Sequence, residues 1–273
     1  MTWLSVVFGA IVGLSLGLTG GGGAIFAVPL LVYGLGLTAR DAVSVSIAAV
    51  GATSFVGFLH RRQLGEVEMR VGLLFAIAGM LGAPVGTWIA NGIPEAILLL
   101  AFGGLIVIVA LRLWHQAAKS AVPADTPLDS TEQAGPTCRR DATGGLVLNS
   151  RCARLLFVVG LLTGILSGLF GVGGGFIIVP ALVIFSGMSM QRAIGTSMMV
   201  MALVSVSGVA TRLWSGSAID PRVTSLFIVG SLSGLFVGQR ISRRLSVPTL
   251  QRVFVVAMLI VAIFVIARNL SHS

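Results

Sequence analysis

Long apolar runs separated by short polar stretches are the main pattern along this chain. Residues 71–89, 96–111, 222–237 and 253–267 carry almost no charge. Each run approaches the roughly 20 residues that an α-helix needs to cross about 30 Å of hydrocarbon. These runs are therefore predicted to be transmembrane helices.

The pattern repeats itself after 151 residues. The glycine-rich stretch from Gly17 to Pro29 recurs from Gly168 to Pro180. The match continues on both sides, and the later pairs include Ser46 with Ser197, Ser54 with Ser205, Gly57 with Gly208, and Arg61 with Arg212. Chance does not produce so long a match, so the chain is predicted to consist of two homologous halves.

A polar stretch separates the two halves. Residues 116–151 hold three of the prolines and four of the nine acidic residues, and they show no sustained apolar period. Such a composition is typical of a flexible linker. The predicted organisation is a first membrane repeat over residues 1–115, a linker over 116–151, and a second membrane repeat over 152–273.

Each half opens with an apolar run that a glycine cluster interrupts. The pieces after the clusters, residues 24–37 and 176–188, are too short to cross a bilayer. Consecutive glycines disfavour helix by about 1 kcal/mol each relative to alanine, and Pro29 or Pro180 starts or kinks the next helix. We expect a glycine-broken or re-entrant helix in each half, and about eight transmembrane segments in all.

The positive charges favour one topology. If each broken unit returns to its starting side, 14 of the 18 Lys and Arg residues share one side and 4 lie opposite; if each unit crosses once, the split is 12 to 6. The positive-inside rule favours the first arrangement. The halves are then inverted repeats in the inner (plasma) membrane, a recurring plan of secondary transporters, with both termini outside and the linker in the cytoplasm.

Composition excludes several classes of function. The chain is 56% hydrophobic and 10% charged, against about 25% charged residues in an ordinary soluble domain. Its net charge of +9 lies in short loops, which indicates membrane orientation rather than nucleic-acid binding. The two cysteines match no metal or redox spacing and are expected to be incidental thiols. We predict no cofactor and no metal site.

The sequence shows no residues at membrane depth that would support catalysis or proton coupling. An intramembrane enzyme needs a nucleophile with a base, or metal ligands, at membrane depth, and neither Cys nor His is predicted there. Every acidic residue falls in a loop or at the end of an apolar segment, whereas proton-coupled transporters commonly use intramembrane acids or histidines. The protein is therefore not expected to be an enzyme, and sodium coupling through backbone carbonyls stays open.

The glycine clusters are the first candidate site. Unwound backbone at membrane depth must be buried in protein or line a wet cavity. The N–H groups that start the short helices are unpaired, and the helix dipole adds about half a positive charge. Two such ends meeting near the midplane would bind an anion; the alternative is that the glycines only allow close packing. The predicted glycines are Gly20, Gly21, Gly22, Gly23, Gly171, Gly173, Gly174 and Gly175.

Hydroxyl and cationic residues follow the clusters. Ser46 and its match Ser197, with neighbouring Thr196, could complete a shell around an oxyanion, or they could bond another helix or a carbonyl one turn away. His60, Arg61 and Arg212 come just past the predicted ends of the helices that carry these hydroxyls. The two arginines are a matched pair. Both are expected to snorkel to the interface, and the alternative is a vestibule that gathers anions.

A family resemblance rests on the paired motifs. Gly17-Leu-Thr-Gly20-Gly-Gly-Gly-x5-Pro29, its counterpart from Gly168 to Pro180, and Ala193-Ile-Gly-Thr-Ser197 resemble the sulfite exporter TauE/SafE family of membrane permeases. The first half reads Ala42-Val-Ser-Val-Ser46 instead and departs from the last pattern. The resemblance implies movement of sulfite, sulfonates or other small organic or sulfur oxyanions.

The expected function is export of such an anion through the lipid bilayer. Import of the same class of anion is the alternative within transport, and a non-transporting membrane partner protein is the alternative outside it. A homo-oligomer is one of the arrangements that the sequence leaves open.

Overall fold

The computed structural model describes residues 2–21, 23–119, 150–171, 175–186, 188–214, 220–242 and residue 259. These residues form helices and turns without a strand, which confirms the all-α prediction for this part of the chain. The helices are α1 (Thr2–Thr19), α2 (Ala24–Pro29) with a π-helical turn (Leu30–Gly34), α3 (Ala39–Gln63), α4 (Met69–Gly92), α5 (Glu95–Lys119), α6 (Ser150–Phe170), α7 (Gly175–Ser186), α8 (Met190–Trp214) and α9 (Pro221–Ser242).

The helices have the length and surface of a membrane protein. Within the described ranges, α3, α4, α6, α8 and α9 are long and apolar enough to cross a bilayer. Large apolar side chains, such as Trp88 and Val206, point outward from the bundle. Apart from residue 259, the predicted segment at 253–267 lies outside the described residues. Helix α5 extends to Lys119 and α6 starts at Ser150, so both ends of the predicted linker are helical.

The helices of the two halves follow the 151-residue offset. Helices α3 and α8 begin and end at the same offset, and α4 and α9 match within two residues. The contacts between the halves follow the same offset. Helix α1 packs along α9, and its counterpart α6 packs along α4, the counterpart of α9. Helix α3 packs along its own counterpart, α8. Each half therefore places its first helix against the other half.

Glycine stripes make these contacts close. A Cβ atom on Gly13 would overlap the backbone of Ser231 in α9, and one on the matching Gly164 would overlap the backbone of Gly79 in α4. Such small-residue stripes let helix backbones approach each other inside a membrane. These glycines therefore serve close helix packing.

The contacts also fix helix directions. Gly51 of α3 faces Ser205 of α8, whereas the earlier Ile47 faces the later Gly208, so α3 and α8 are antiparallel. In contrast, Gly9 of α1 faces Phe227 and Gly17 faces Leu235. Helices α1 and α9 therefore run in the same direction.

The first glycine cluster turns the chain back on itself. Gly23 lies against the backbone between Val12 and Leu16 of α1, and Gly34 lies against the ring of Phe8. The segment 24–34 therefore descends along α1, and its length of about 16 Å is well short of a bilayer. This is the glycine-broken hairpin that the sequence predicts for the first half.

Candidate functional site

One hydrogen bond fastens each of the two glycine turns, at Gly20 and at Gly171, to the opposite half. The Ser46 hydroxyl donates to the carbonyl of Gly171 at 2.7 Å, and the Ser197 hydroxyl donates to the carbonyl of Gly20 at 2.6 Å. Both serines are fully buried. The two bonds are equivalent under the 151-residue offset, so the halves hold each other's turns reciprocally.

The two acceptor positions require glycine. Gly20 has φ +75° and Gly171 has φ +70°, a left-handed conformation that L side chains rarely adopt. A Cβ atom would also collide with Ile194 at Gly20 and with Val43 at Gly171. Both the backbone conformation and the space therefore exclude any other residue.

The first glycine cluster meets the start of the second short helix, α7. Gly21 lies against the backbone of Gly175, the first residue of α7, and neither position has room for a Cβ atom. The first N–H groups of an α-helix have no partner within the helix, and the helix dipole makes that end positive. The structure thus brings one glycine cluster to the positive end of α7.

The glycine turns lie on both sides of the middle rather than at one level. Ser46 and Ser197 each lie five residues before the middle of α3 and α8, which is about 7 Å at 1.5 Å per residue. Because α3 and α8 are antiparallel, Gly171 and Gly20 are displaced in opposite directions. The contact between Gly21 and Gly175 lies between them.

Other predicted site residues have different surroundings. Gly23 packs on α1. The Thr196 hydroxyl oxygen accepts a 3.0 Å hydrogen bond from the backbone N–H of Glu68, in the connection between α3 and α4. Gly22, Gly173 and Gly174 lie outside the described residues.

The serine protons are already engaged in this conformation. Each serine hydroxyl has one proton, and both site serines donate it to a carbonyl. The structure therefore shows the interhelical bonding that the sequence left as an alternative. An anion would receive such a proton only after the hydroxyl rotates away from the glycine turn.

Several buried polar groups were not singled out from the sequence. The hydroxyls of Ser54 and Ser205, and the side-chain oxygen of Gln239, are buried without a hydrogen-bond partner. The sequence shows Ser54 and Ser205 as a matched pair, and it shows Gln239 as a single amide after the glycines at 230, 234 and 238. These positions could have identified the three residues as candidate site residues, since buried polar groups are normally paired.

The two matched arginines are buried, so the prediction that they snorkel is wrong. Arg61 is 2% exposed and Arg212 is 3% exposed. Arg61 donates to Glu66 at 2.8 Å and to Gln191 at 3.0 Å. These side chains turn into the bundle because polar groups of neighbouring elements are available to them.

An apolar groove between α3 and α8 does not suit an anion. It encloses about 610 Å³ and is lined by side chains such as Ile47, Phe55 and Val206, with Ser205 as its one hydroxyl-bearing residue. An anion placed there would lose its hydration without gaining charged or N–H partners. The glycine turns remain the better candidate.

The structure corrects the expectation about one of the cysteines. Cys152, at the start of α6, is disulfide-bonded, so the prediction of an incidental thiol is wrong for this residue. Among the described residues, no group of three or more His, Cys, Asp or Glu side chains could hold a metal ion.

Comparison with known proteins identifies the family. Residues 5–265 match the family model described as sulfite exporter TauE/SafE. The chain is similar to a probable membrane transporter protein of Xylella fastidiosa (strain 9a5c), with 35% identity over 266 residues that cover 96% of this chain and 93% of that protein. It is also similar to the probable membrane transporter protein YdhB of Bacillus subtilis (strain 168), with 24% identity over 234 residues, 84% of this chain and 86% of that protein. The chain therefore belongs to the sulfite exporter TauE/SafE family and is an integral membrane transporter.

Proposed function

We propose that this transporter exports a small oxyanion, sulfite or a related sulfur or organic oxyanion, across the inner membrane. The observation that carries the proposal is the meeting of Gly21 with Gly175, the start of α7. Serines of the opposite half fasten the two adjoining glycine turns. A helix start without side chains presents backbone N–H groups, which bind anions.

The charges around the bundle support an anionic substrate. The described carboxylates lie at helix starts and connections, as Asp41, Glu66 and Glu68 do. The Asp41 carboxylate accepts a hydrogen bond from Thr38, Glu66 pairs with Arg61, and Glu68 pairs with Arg192. These carboxylates are engaged by other residues, whereas an anion at the glycine turns would meet the positive end of α7.

The proposed topology is a pair of inverted repeats with about eight transmembrane segments. Helices α3 and α8 hold equivalent places in the two halves and are antiparallel. Elements related by a two-fold axis are antiparallel when that axis is perpendicular to them, and such an axis lies in the membrane plane when the helices cross the bilayer. The return of the chain along α1 also supports the hairpin arrangement.

Two observations bear on the orientation and point in opposite directions. The Lys and Arg split of 14 to 4 under the hairpin arrangement favours a cytoplasmic linker and outward-facing termini. The disulfide at Cys152, beside the linker, favours an oxidising compartment for that side. We give the charge split precedence because it sums 18 residues, whereas the disulfide is a single local feature.

The membrane potential supplies a driving force for export. An inside-negative potential of 100 mV is worth about 2.3 kcal/mol for each charge that leaves. An anion can therefore leave without a coupling ion, which fits the position of the described carboxylates at helix starts and connections. A uniport mechanism is the simplest one that uses this gradient.

The test is flux from proteoliposomes that contain the purified protein. Labelled sulfite efflux is measured with and without an imposed potential, and acetate, sulfate and taurine are compared. Efflux that rises with a potential negative inside the vesicle is the expected result. Flux that is independent of the potential would exclude uniport, and an absence of flux for every anion under every gradient would favour the non-transporting partner protein.

A further inference from the structure

Arg212 is a buried cation whose hydrogen bonds to the described residues all go to uncharged acceptors. It lies in the last turn of α8 and is 3% exposed. Its guanidinium donates to the carbonyl of Arg40 at 3.3 Å, to the hydroxyl of Ser44 at 3.2 Å and to the carbonyl of Gly168 at 3.5 Å. Its Nε has no hydrogen-bond partner. These contacts are long, and one donor is unused.

The equivalent arginine of the first half has a different partner. Arg61 forms an ion pair with Glu66 at 2.8 Å. At the 151-residue offset, the sequence has Ser217 where the first half has Glu66. The second half therefore has the equivalent arginine, Arg212, but no carboxylate at the position equivalent to Glu66.

Asp41 attracts Arg212 at longer range but forms no ion pair with it. In the described part of the chain, Arg212 has no carboxylate within ion-pair distance. Asp41 follows Arg40 in α3, but its carboxylate accepts the hydroxyl proton of Thr38 at 2.8 Å. Arg40 itself adds a second positive charge to this corner, and its guanidinium donates to the carbonyl of Asn91.

A buried cation without a counter-charge is costly, so this corner favours an anion. A guanidinium presents its donors as a planar fork that matches the oxygens of an oxyanion. Gly168, which Arg212 contacts, precedes Gly171 by less than one helical turn. Arg212 therefore lies beside the glycine turn that Ser46 fastens.

We propose that Arg212 binds the transported oxyanion beside the second glycine turn, and that the anion takes the place that Glu66 holds at Arg61. This inference rests on the proposed function. It adds Arg212 as a binding residue and places the anion beside the second glycine turn. At one end of the bundle, Glu66 is the counter-ion of Arg61. At the other end, the transported anion is the counter-ion of Arg212. The two ends are thus unequal although the halves share one plan.

Anion binding can be measured without transport. The melting temperature of the purified protein is recorded against sulfite concentration, with gluconate replacing sulfite at constant ionic strength. We expect saturable stabilisation of the wild type. Arg212→Gln should weaken the apparent affinity by about tenfold or more, because a charge-assisted hydrogen-bond donor is lost. Arg61→Gln is the matched buried control and should keep the wild-type affinity, although its starting melting temperature is lower.

A second variant separates binding from a structural role. Ser44→Asp places a carboxylate next to Arg212 and reproduces the pairing of Arg61 with Glu66. It should raise the melting temperature without sulfite and abolish the stabilisation by sulfite. If Arg212→Gln keeps the wild-type affinity, or if Ser44→Asp leaves the sulfite response unchanged, Arg212 does not bind the anion.

Flux of the wild type separates this inference from the proposed function. Sulfite efflux from wild-type proteoliposomes, combined with unchanged sulfite affinity in both variants, overturns the role of Arg212 and leaves the transport proposal standing. Neither efflux nor stabilisation of the wild type by any oxyanion overturns both. Efflux together with the two expected losses of affinity supports both.

Discussion

The hydroxyl of Ser197 donates a 2.6 Å hydrogen bond to the carbonyl of Gly20, a residue 177 positions earlier in the chain. Ser46 makes the equivalent bond to Gly171 over 125 positions. Each half therefore holds the glycine turn of the other. A movement of one turn away from α8 or α3 must break one of these bonds, so the pair couples the turns to the two central helices.

Removal of either serine hydroxyl should destabilise the protein. Ser46→Ala or Ser197→Ala leaves a buried carbonyl without that donor, which costs about 1–3 kcal/mol. The unfolding free energy, measured by denaturant titration in mixed micelles, should fall by similar amounts in the two variants. Ser225→Ala, on the exposed surface of α9, is the control. An unchanged stability combined with a raised KM for the anion would instead assign the hydroxyls to substrate binding.

A methyl group where Gly21 contacts Gly175, the start of α7, should lower the rate of transport. Gly21→Ala or Gly175→Ala forces a Cβ atom into backbone of the opposite half. Overpacking of this kind costs about 1–3 kcal/mol. Where that cost falls on the transport-competent state, flux should fall by about 5- to 150-fold, since 1.4 kcal/mol corresponds to tenfold. Gly104→Ala in α5 is the control, because nothing lies within 4 Å of its added Cβ atom. Wild-type flux in both site variants would exclude this contact from the transport path.

The paired glycine stripes should be equally intolerant of large side chains. Gly13→Val separates α1 from α9, and Gly164→Val separates α6 from α4. Each should lower the unfolding free energy by about 3 kcal/mol or prevent accumulation of folded protein. Folded yield after detergent extraction and size-exclusion chromatography measures this effect. A large loss in one variant and none in the other would contradict the equivalence of the two contacts.

The two ion pairs between Arg and Glu should differ in strength. Glu66→Gln leaves Arg61 buried without its carboxylate, which should cost about 2 kcal/mol, since Glu66 is 26% exposed and partly hydrated. Glu68→Gln disturbs the pair with Arg192, whose atoms lie 3.6 Å apart and whose arginine is 47% exposed. That change should cost about 0–1 kcal/mol. Unfolding free energies at low and moderate salt give the comparison, and equal losses would contradict the burial of Arg61.

Thiol labelling tests the orientation. In a variant with Cys138 and Cys152 replaced by Ser, Gln63→Cys and Asn91→Cys introduce single thiols at the exposed ends of α3 and α4. A membrane-impermeant maleimide should label position 91 in intact cells and position 63 only after permeabilisation. The reverse result would place the linker outside, as the disulfide at Cys152 favours. Labelling of both positions in intact cells would contradict the crossing of α4.

Local and periodic features of the fold could be predicted from the sequence. The 151-residue offset recurs in the bounds of α3 and α8. The Thr38 cap is likewise local, since its hydroxyl oxygen accepts the N–H of Asp41, three residues later. These features depend on residues a few positions apart, whose chemistry is visible in one stretch of chain.

Partner choice across the bundle could not be predicted. The sequence around Ser46 does not indicate that the carbonyl of Gly171 accepts its hydrogen bond. That bond depends on how the halves exchange their first helices. The burial of Arg61 has the same origin, since Gln191 comes from the other half. An arginine at the end of an apolar segment is usually free to reach the interface, and only the packing reverses that expectation.

The exchange of first helices has a consequence for biosynthesis. Ser231 of α9 bonds to the carbonyl of Gly9 in α1, 222 residues earlier. At about 5–20 residues per second, the ribosome needs about 10–45 s to make α9 after α1. During that interval the glycine stripe of α1 has no permanent partner in the bilayer. The cell's insertion machinery or surrounding lipids must shield it, so early truncated chains are expected to be prime targets of membrane proteases.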